Sequence, residues 1–174
     1  MLRPLRPQDA VPYAAAFREE PELGVLLGFE QDPDEQWVIE RAGHDNERLR
    51  TGRAAELAVA DPATDALWGS ITLHSFAWEH RRCEIGFWLR AAVRGRGVGT
   101  AAVGAALEWA FGGLGLLRVE MTTTPDNLAV AAMARRMGFS QEGVLRARNV
   151  ERGRRVDVVW FGLLREEWPG APAP

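Results

Sequence analysis

The feature that most restricts the fold of this sequence is a turn rich in glycine and arginine, Arg94–Thr100 (RGRGVGT). An apolar run of strand length, Cys83–Leu89, precedes the turn, and a helical pattern of apolar residues follows it from Val98 to Phe111. A strand, a tight glycine turn and a helix in this order present free backbone N–H groups and the positive end of a helix to an anion. The sequence therefore predicts a site for a phosphorylated ligand at this turn.

The rest of the chain predicts a single α/β domain with a mixed, mostly antiparallel sheet. A length of 174 residues suits one domain. We place that domain at residues 1–168 and expect a disordered tail of proline, glycine and alanine at 169–174. The predicted elements are, in order, strand 2–5, helices 9–18 and 33–50, strands 54–60, 67–78 and 83–89, helix 98–111, strand 116–123, helix 127–137, and strands 139–150 and 155–164.

Composition and charge exclude several classes of protein. All 21 basic residues are arginine, so chemistry that needs a lysine amine is excluded. No apolar run approaches the roughly 20 residues of a membrane span, and no secretory signal is visible. A single cysteine, Cys83, rules out an internal disulfide framework and favours a cytoplasmic setting. The arginines lack interleaved aromatic residues, so we expect no nucleic-acid partner.

Titratable residues give little support for metal chemistry. His44, His74 and His80 have no metal-ligand spacing with one another or with Cys83, so we expect no metal. We take Cys83 as a buried thiol, because nothing in the sequence supports it as a nucleophile. The basic residues concentrate in the half of the chain that contains the glycine turn, as a polyanionic ligand would require.

Three ligand classes compete for the glycine turn. A P-loop requires a lysine after its last glycine and is eliminated. Gly97–Ala102 satisfies the dinucleotide pattern G-x-G-x-x-A, and Glu120 stands where a ribose-binding acid belongs. Against that pattern, residues 90–96 separate the strand from the first glycine, and too little chain follows for two βαβαβ halves. The third class is coenzyme A, whose pyrophosphate needs several converging N–H donors.

The sequence resembles the GNAT superfamily of acyl-CoA-dependent N-acyltransferases, in particular its RimJ/RimL-like branch. The signature [RQ]-x-x-G-x-[GA] is matched by Arg94, Gly97 and Gly99, and the other similar blocks are Glu84–Leu89, Asn127 with Gly138-Phe139, Glu142–Arg146 and Val156–Trp168. The resemblance implies a single α+β domain with helices on both faces of its sheet. It also implies an acetyl-CoA-dependent N-acetyltransferase that acts on a primary amine, either a protein N-terminus or a small molecule, and that pairs as a homodimer in some relatives.

The resemblance assigns the coenzyme to two segments and one asparagine. Glycines allow the pyrophosphate close to the backbone N–H groups of the turn. The pantetheine arm is expected along the edge formed by Phe87, Trp88 and Leu89, and on Asn127, for which a plain helix N-cap is the alternative. The predicted turn residues are Arg94, Gly95, Arg96, Gly97, Val98, Gly99 and Thr100.

Acyl transfer also needs a neutral amine and a stabilised oxyanion. A backbone N–H near Leu89 is the predicted oxyanion donor. Glu84 is the first candidate for the base, with an ordinary salt bridge to Arg81 or Arg82 as the alternative, and Asp157 and His74 follow.

A general acid is harder to find. Relatives carry a hydroxyl three or seven positions after the asparagine, but Val130 and Ala134 stand there. The position five residues before the asparagine, acidic in some relatives, is Thr122, and the only tyrosine, Tyr13, is remote in sequence. These residues leave open a non-catalytic acyl-CoA-binding module as the alternative function.

Overall fold

The structure is a computed structural model that describes residues 1–151 and 153–170, except the side chains of residues 43–47, 49 and 50. In this part of the chain one sheet contains seven strands. They are β1 (Leu2–Pro4), β2 (Ala54–Ala60), β3 (Leu67–Ala77), β4 (Arg82–Leu89), β5 (Arg118–Thr123), β6 (Ser140–Glu151) and β7 (Arg154–Leu164). The α-helices are α1 (Ala10–Glu19), α2 (Glu22–Leu26), α3 (Glu35–Arg50), α4 (Val98–Glu108) and α5 (Leu128–Arg136).

The strand order is β1-β2-β3-β4-β5-β7-β6. Among the described strands only β4 and β5 run parallel, and α4 connects them. The mixed, mostly antiparallel sheet of the sequence analysis is therefore confirmed. A doubly wound parallel sheet, which the dinucleotide alternative requires, is excluded.

Two hydrophobic cores lie on opposite faces of the sheet. One core contains Val103 and Leu107 of α4 with Ala134 of α5, packed on alternate residues of the central strands. The other contains Tyr13 and Phe17 of α1, together with Val38 of α3 and residues of the other strand face. The period-2 alternation of the strands sends successive side chains to the two cores, so helices cover both faces as expected.

Differences from the predicted elements are local. The helix α2 was not predicted, because five residues carry too little periodicity to be recognised. In α3, Val38 is fully buried and Ile39 is 42% exposed, so Val38 is the residue that packs on the sheet. The predicted end of α4 forms a π-helical turn at Trp109–Gly113. Residues 171–174 of the predicted tail lie outside the described residues, so disorder there stays a prediction.

Candidate active site

The two central strands part in the middle of the sheet. The parallel pairing of β4 with β5 covers Arg82, Cys83 and Glu84 and ends there, opposite Glu120. Beyond this point β4 stays paired with β3 as far as Leu89, and β5 stays paired with β7 as far as Thr123. A wedge-shaped opening therefore separates the second halves of these strands; we call it the β4–β5 gap.

Backbone groups of β4 point into this gap. Arg90 N–H donates to the Trp68 carbonyl at 2.8 Å, and the β3–β4 register is unbroken from Leu89 back to Glu84. Backbone groups alternate in direction along an antiparallel strand, so those of Phe87 and Leu89 face away from β3. The Leu89 carbonyl accepts a hydrogen bond from Arg94 Nε at 2.8 Å. Both polar groups of Phe87 and the N–H of Leu89 are thus directed into the gap.

Trp88 lies differently from its two neighbours. Its backbone faces β3, and its side chain, 4% exposed, packs in the α1 layer against Tyr13 and Phe17. Its Nε1–H has no hydrogen-bond partner in the described part of the chain. The contact of Trp88 with the coenzyme arm stays a prediction.

The glycine turn lies beside the end of β4. Gly95 and Gly97 adopt left-handed φ values of 71° and 79°, and no atom lies within 4 Å of the point where a Cβ would stand on either residue. A Cβ on Gly99 would lie 3.3 Å from Leu89 Cδ1 and 3.8 Å from Phe87 Cε2, so the first turn of α4 touches the gap. This geometry brings the predicted turn and the predicted strand edge together.

Backbone N–H groups of the turn are free to bind an anion. Among the described residues, no hydrogen bond is found for the N–H groups of residues 95–100, although Arg94 and Ala101 on either side donate to Ala91 and Gly97. No side chain caps the start of α4. Several unpartnered N–H groups at a helix N-terminus form an anion-binding site.

The two arginines of the turn have different surroundings. Arg94 is engaged with protein atoms, since its guanidinium also pairs with Glu20 at 2.6 Å. Arg96 is exposed, has no ion pair among the described residues, and lines a cavity of about 640 Å³ on the β1 side of α4. Contact of either arginine with a phosphate stays a prediction.

Asn127 begins α5 as its N-cap. Its Oδ1 accepts a hydrogen bond from the backbone N–H of Val130 at 3.3 Å, as the capping alternative supposed. Its Nδ2 has no hydrogen-bond partner among the described residues, so capping leaves a donor for a ligand. The contact of Asn127 with the coenzyme stays a prediction.

Glu84 and His74 face each other on the sheet surface opposite α4. They are direct cross-strand partners at the point where β4 and β5 separate. The salt bridge to Arg81 or Arg82, considered as the alternative role of Glu84, is absent from the described ion pairs. Arg82 pairs with Glu120 at 3.0 Å, and Arg81 donates to the Gly115 carbonyl. Glu84 is therefore a half-buried carboxylate next to the gap without an arginine partner among the described residues.

His74 extends over the strand toward the gap. Its Nε2 lies 3.7 Å from the point where a Cβ on Gly86 would stand, an ordinary van der Waals distance, so the imidazole lies over Gly86. Burial lowers the pKa of His74; the negative charge of Glu84 opposes this shift, and the positive charges of Arg41 and Arg48 add to it. The imidazole is thus held toward its neutral form.

Comparisons with known proteins identify the family. Residues 1–140 match the model of the family described as "Acetyltransferase (GNAT) domain". The chain belongs to the GNAT acetyltransferases. It is an acetyl-CoA-dependent acetyltransferase, as the resemblance implied.

Relatives extend over the whole chain. YdaF of Bacillus subtilis strain 168, named as a candidate ribosomal N-acetyltransferase, is 29% identical over 97% of this chain and 93% of its own. Two solved structures share the fold: Mycobacterium smegmatis RimJ in complex with CoA-disulfide (22% identity, 98% and 84% coverage, TM-score 0.85), and spermidine N-acetyltransferase from Vibrio cholerae in complex with CoA and spermine (19% identity, 96% coverage of each chain, TM-score 0.82). The RimJ/RimL-like resemblance is therefore confirmed.

A buried polar network that sequence reasoning missed lies under α1 and α3 of this GNAT enzyme. Glu56, 3% exposed, accepts hydrogen bonds from Tyr13 Oη at 3.0 Å, Ser70 Oγ at 3.4 Å and Arg41 Nε at 2.6 Å. Burial and then the charge of Glu56 raise the pKa of the Tyr13 phenol. Tyr13 packs edge-on against Trp88 with ring centroids 4.8 Å apart, so the remote tyrosine is a neighbour of the site. Its proton is committed to Glu56, which makes it a poor acid for a leaving thiolate.

The remaining candidate residues have structural surroundings that do not favour a catalytic role. Asp157 Oδ1 accepts the N–H of Ala147 at 2.7 Å, where β6 is irregular, and so has a structural partner. Cys83 is fully buried, and burial raises the pKa of its thiol to about 12, which excludes a reactive thiolate. Ala134 is fully buried and Val130 packs against the same core, so neither position offers a proton.

Neither a membrane-spanning helix nor a metal-binding cluster is found in the described part of the chain. No helix there is long and apolar enough to cross a bilayer. No cluster of three His, Cys, Asp or Glu side chains there is arranged to hold a metal ion, and the absence of a metal stays a prediction.

Proposed function

We propose that this GNAT enzyme transfers the acetyl group of acetyl-CoA to a primary amine, with the coenzyme arm in the β4–β5 gap. The observation that carries the proposal is the open backbone edge of β4. Polar groups of Phe87 and Leu89 face a gap where no strand pairs with them, directly beside an anion-binding turn. An extended arm with two amides satisfies such an edge as an added strand does.

In this proposal the coenzyme is bound mainly by backbone. The N–H groups of residues 95–100 take the pyrophosphate, with Arg96 as the nearest unpaired guanidinium of the turn. Phe87 pairs with the arm, and Asn127 Nδ2 is available to it from the other side of the gap. The N–H of Leu89 then donates to the thioester oxygen as negative charge develops on it.

Glu84 is the proposed base. Glu84 takes one proton of the ammonium through water, the neutral amine nitrogen then attacks the thioester carbon, and the C–S bond breaks. The second nitrogen proton passes to water. Support comes from the position of Glu84 at the start of the gap and from its lack of an arginine among the described ion pairs. The departing thiolate takes a proton from water, because Val130 and Ala134 carry none.

The glutamates on the strands favour an acceptor with a single positive charge. Glu56 is neutralised by Arg41, Glu120 by Arg82, and Glu142 by Arg118. Of the three glutamates on β2 to β5, Glu84 is therefore the one without an arginine partner among the described residues. A peptide N-terminus fits one anionic anchor better than a polyamine does, so we infer an α-amine acceptor, as in the ribosomal-protein enzymes.

Calorimetry with CoA tests the proposed coenzyme site, and free-thiol release across a panel of acceptors tests the α-amine inference. We expect calorimetric binding of CoA, and turnover that is faster with peptides than with spermidine at equal concentration. Because Cys83 is buried, a thiol reagent reports coenzyme release without a background from the native protein. The absence of CoA binding at millimolar concentration would overturn the proposed site, and faster turnover with spermidine would overturn the α-amine inference.

The family assignment argues against the non-catalytic acyl-CoA-binding module that the sequence analysis left open because of the aliphatic residues Val130 and Ala134. An experiment also separates that module from the enzyme. It predicts CoA binding with no thiol release from any amine. Turnover that disappears in Glu84→Gln, while CoA binding persists, supports the enzyme and excludes the module.

A further inference from the structure

Two glutamates at the end of α1 reach the short segment that joins β4 to the glycine turn. Glu20 Oε2 pairs with Arg94 at 2.6 Å, and Glu20 Oε1 accepts the backbone N–H of Ala91 at 3.0 Å. Glu19 pairs with Arg90 at 2.6 Å. The end of α1 is thus tied to the segment that leads into the glycine turn.

Arg94, the partner of Glu20, also contacts the end of β4. Arg94 donates through Nε to the Leu89 carbonyl at 2.8 Å while its terminal nitrogen holds Glu20. A guanidinium is planar and rigid, so its two contacts fix the positions of their partners relative to each other. The peptide group that follows Leu89 is therefore held by a side chain from the turn, and the turn is held by a carboxylate from α1.

The ion pairs Glu19–Arg90 and Glu20–Arg94 differ in the other contacts that their arginines make. Arg90 contacts Glu19 and the Pro12 carbonyl, both in α1, and touches no polar group of the gap in the described structure. Arg94 alone of the two links α1 to the Leu89 carbonyl. The neighbouring pair is therefore a natural control of similar length, charge and sequence separation.

We propose that Glu20 and Arg94 are positioning residues that align the Leu89 oxyanion donor with the phosphate-binding N–H groups of residues 95–100. Arg94, predicted from the signature to bind coenzyme, then acts through the backbone and not as a phosphate ligand. The inference rests on the proposed function, since it assumes that the thioester and the diphosphate occupy these two places. Displacing catalytic groups by about 1 Å can lower a rate by about 100-fold.

S-acetylpantetheine separates positioning from phosphate binding, because it carries the thioester and the arm but no phosphate. We expect Arg94→Ala and Glu20→Gln to lower kcat at least about tenfold with both acetyl-CoA and S-acetylpantetheine. Glu19→Gln should stay within about twofold of the wild type. If Arg94→Ala lowers turnover of acetyl-CoA but not of S-acetylpantetheine, Arg94 is a phosphate ligand and the proposal is wrong.

Amide hydrogen exchange in the coenzyme-free protein keeps the inference testable without turnover. Peptides that cover residues 88–97 should exchange faster in Arg94→Ala and Glu20→Gln than in Glu19→Gln, with equal effects of the first two. Equal exchange in all three variants would overturn the positioning role. If the wild-type protein does not bind CoA but the three variants show this exchange pattern, only the proposed function is overturned.

Discussion

Replacement of Gly97 by alanine gives the sharpest test of the coenzyme site. The φ of Gly97 is 79°, and no protein atom lies within 4 Å of its would-be Cβ, so the free protein suffers only backbone strain. That strain is about 1–2 kcal/mol. With coenzyme bound, the new methyl group stands where the diphosphate approaches the N–H groups. Loss of one hydrogen bond to a charged group costs about 1.5–3 kcal/mol, or roughly a 10- to 150-fold rise in Kd.

A matched control isolates the effect on the ligand. Gly153, in the turn between β6 and β7, has the same φ of 79° and is equally free of atoms within 4 Å, so Gly153→Ala carries the same strain at the far edge of the sheet. Thermal denaturation should show similar losses of a few degrees in both variants. Calorimetry with CoA should show weaker binding in Gly97→Ala alone. Equal CoA affinity in the two variants would refute the placement of the diphosphate at residues 95–100.

Three further predictions concern titratable groups. Glu84→Gln should lower kcat about 10²- to 10⁴-fold near neutral pH with little change in CoA affinity. The difference in kcat from the wild type should shrink as pH rises, because more of the amine is then neutral. Parallel pH profiles of the two proteins would contradict a base role. Because burial lowers the pKa of His74, the unfolded chain binds a proton first on acidification. The contribution of neutral His74 to the free energy of unfolding is therefore complete above about pH 6.5 and is lost as pH falls through its pKa in the folded protein. Urea titrations at a series of pH values should show this loss in the wild type and not in His74→Gln. Cys83, with a pKa raised to about 12, should resist a thiol reagent in the native protein and react only after unfolding, and prompt labelling would contradict its burial.

The glycine turn was predictable because its information is local. Positive φ values, a preceding apolar run and a following helical pattern all leave marks within residues 83–111. The opening of the gap leaves no such mark. The run Cys83–Leu89 reads as one uniform strand, yet its pairing with β5 stops at Glu84, because that point depends on how two strands joined by α4 are placed in the sheet.

Roles that depend on distant partners were the least predictable. Tyr13 and Glu56 are 43 residues apart, and only the packing of α1 on the sheet makes them partners. The same holds for Arg94, whose place in the signature suggested a ligand contact while its guanidinium holds Glu20 and Leu89. A sequence motif records that an arginine is present, and the partners of its five donors follow only from the tertiary structure.

No general acid is found near the gap among the described residues, and thioester chemistry explains why none is needed. An alkyl thiol has a pKa of about 8.5 and the α-amine of a peptide has one of about 8, so near neutral pH the thiolate leaves readily while most of the amine is still protonated. The step that needs help is removal of the amine proton. Glu84, which has no arginine partner among the described residues, lies beside the gap. The aliphatic residues Val130 and Ala134 pack where a hydroxyl stands in relatives. Under this division of labour, the base and the alignment of two substrates supply most of the rate, and an acid would add little.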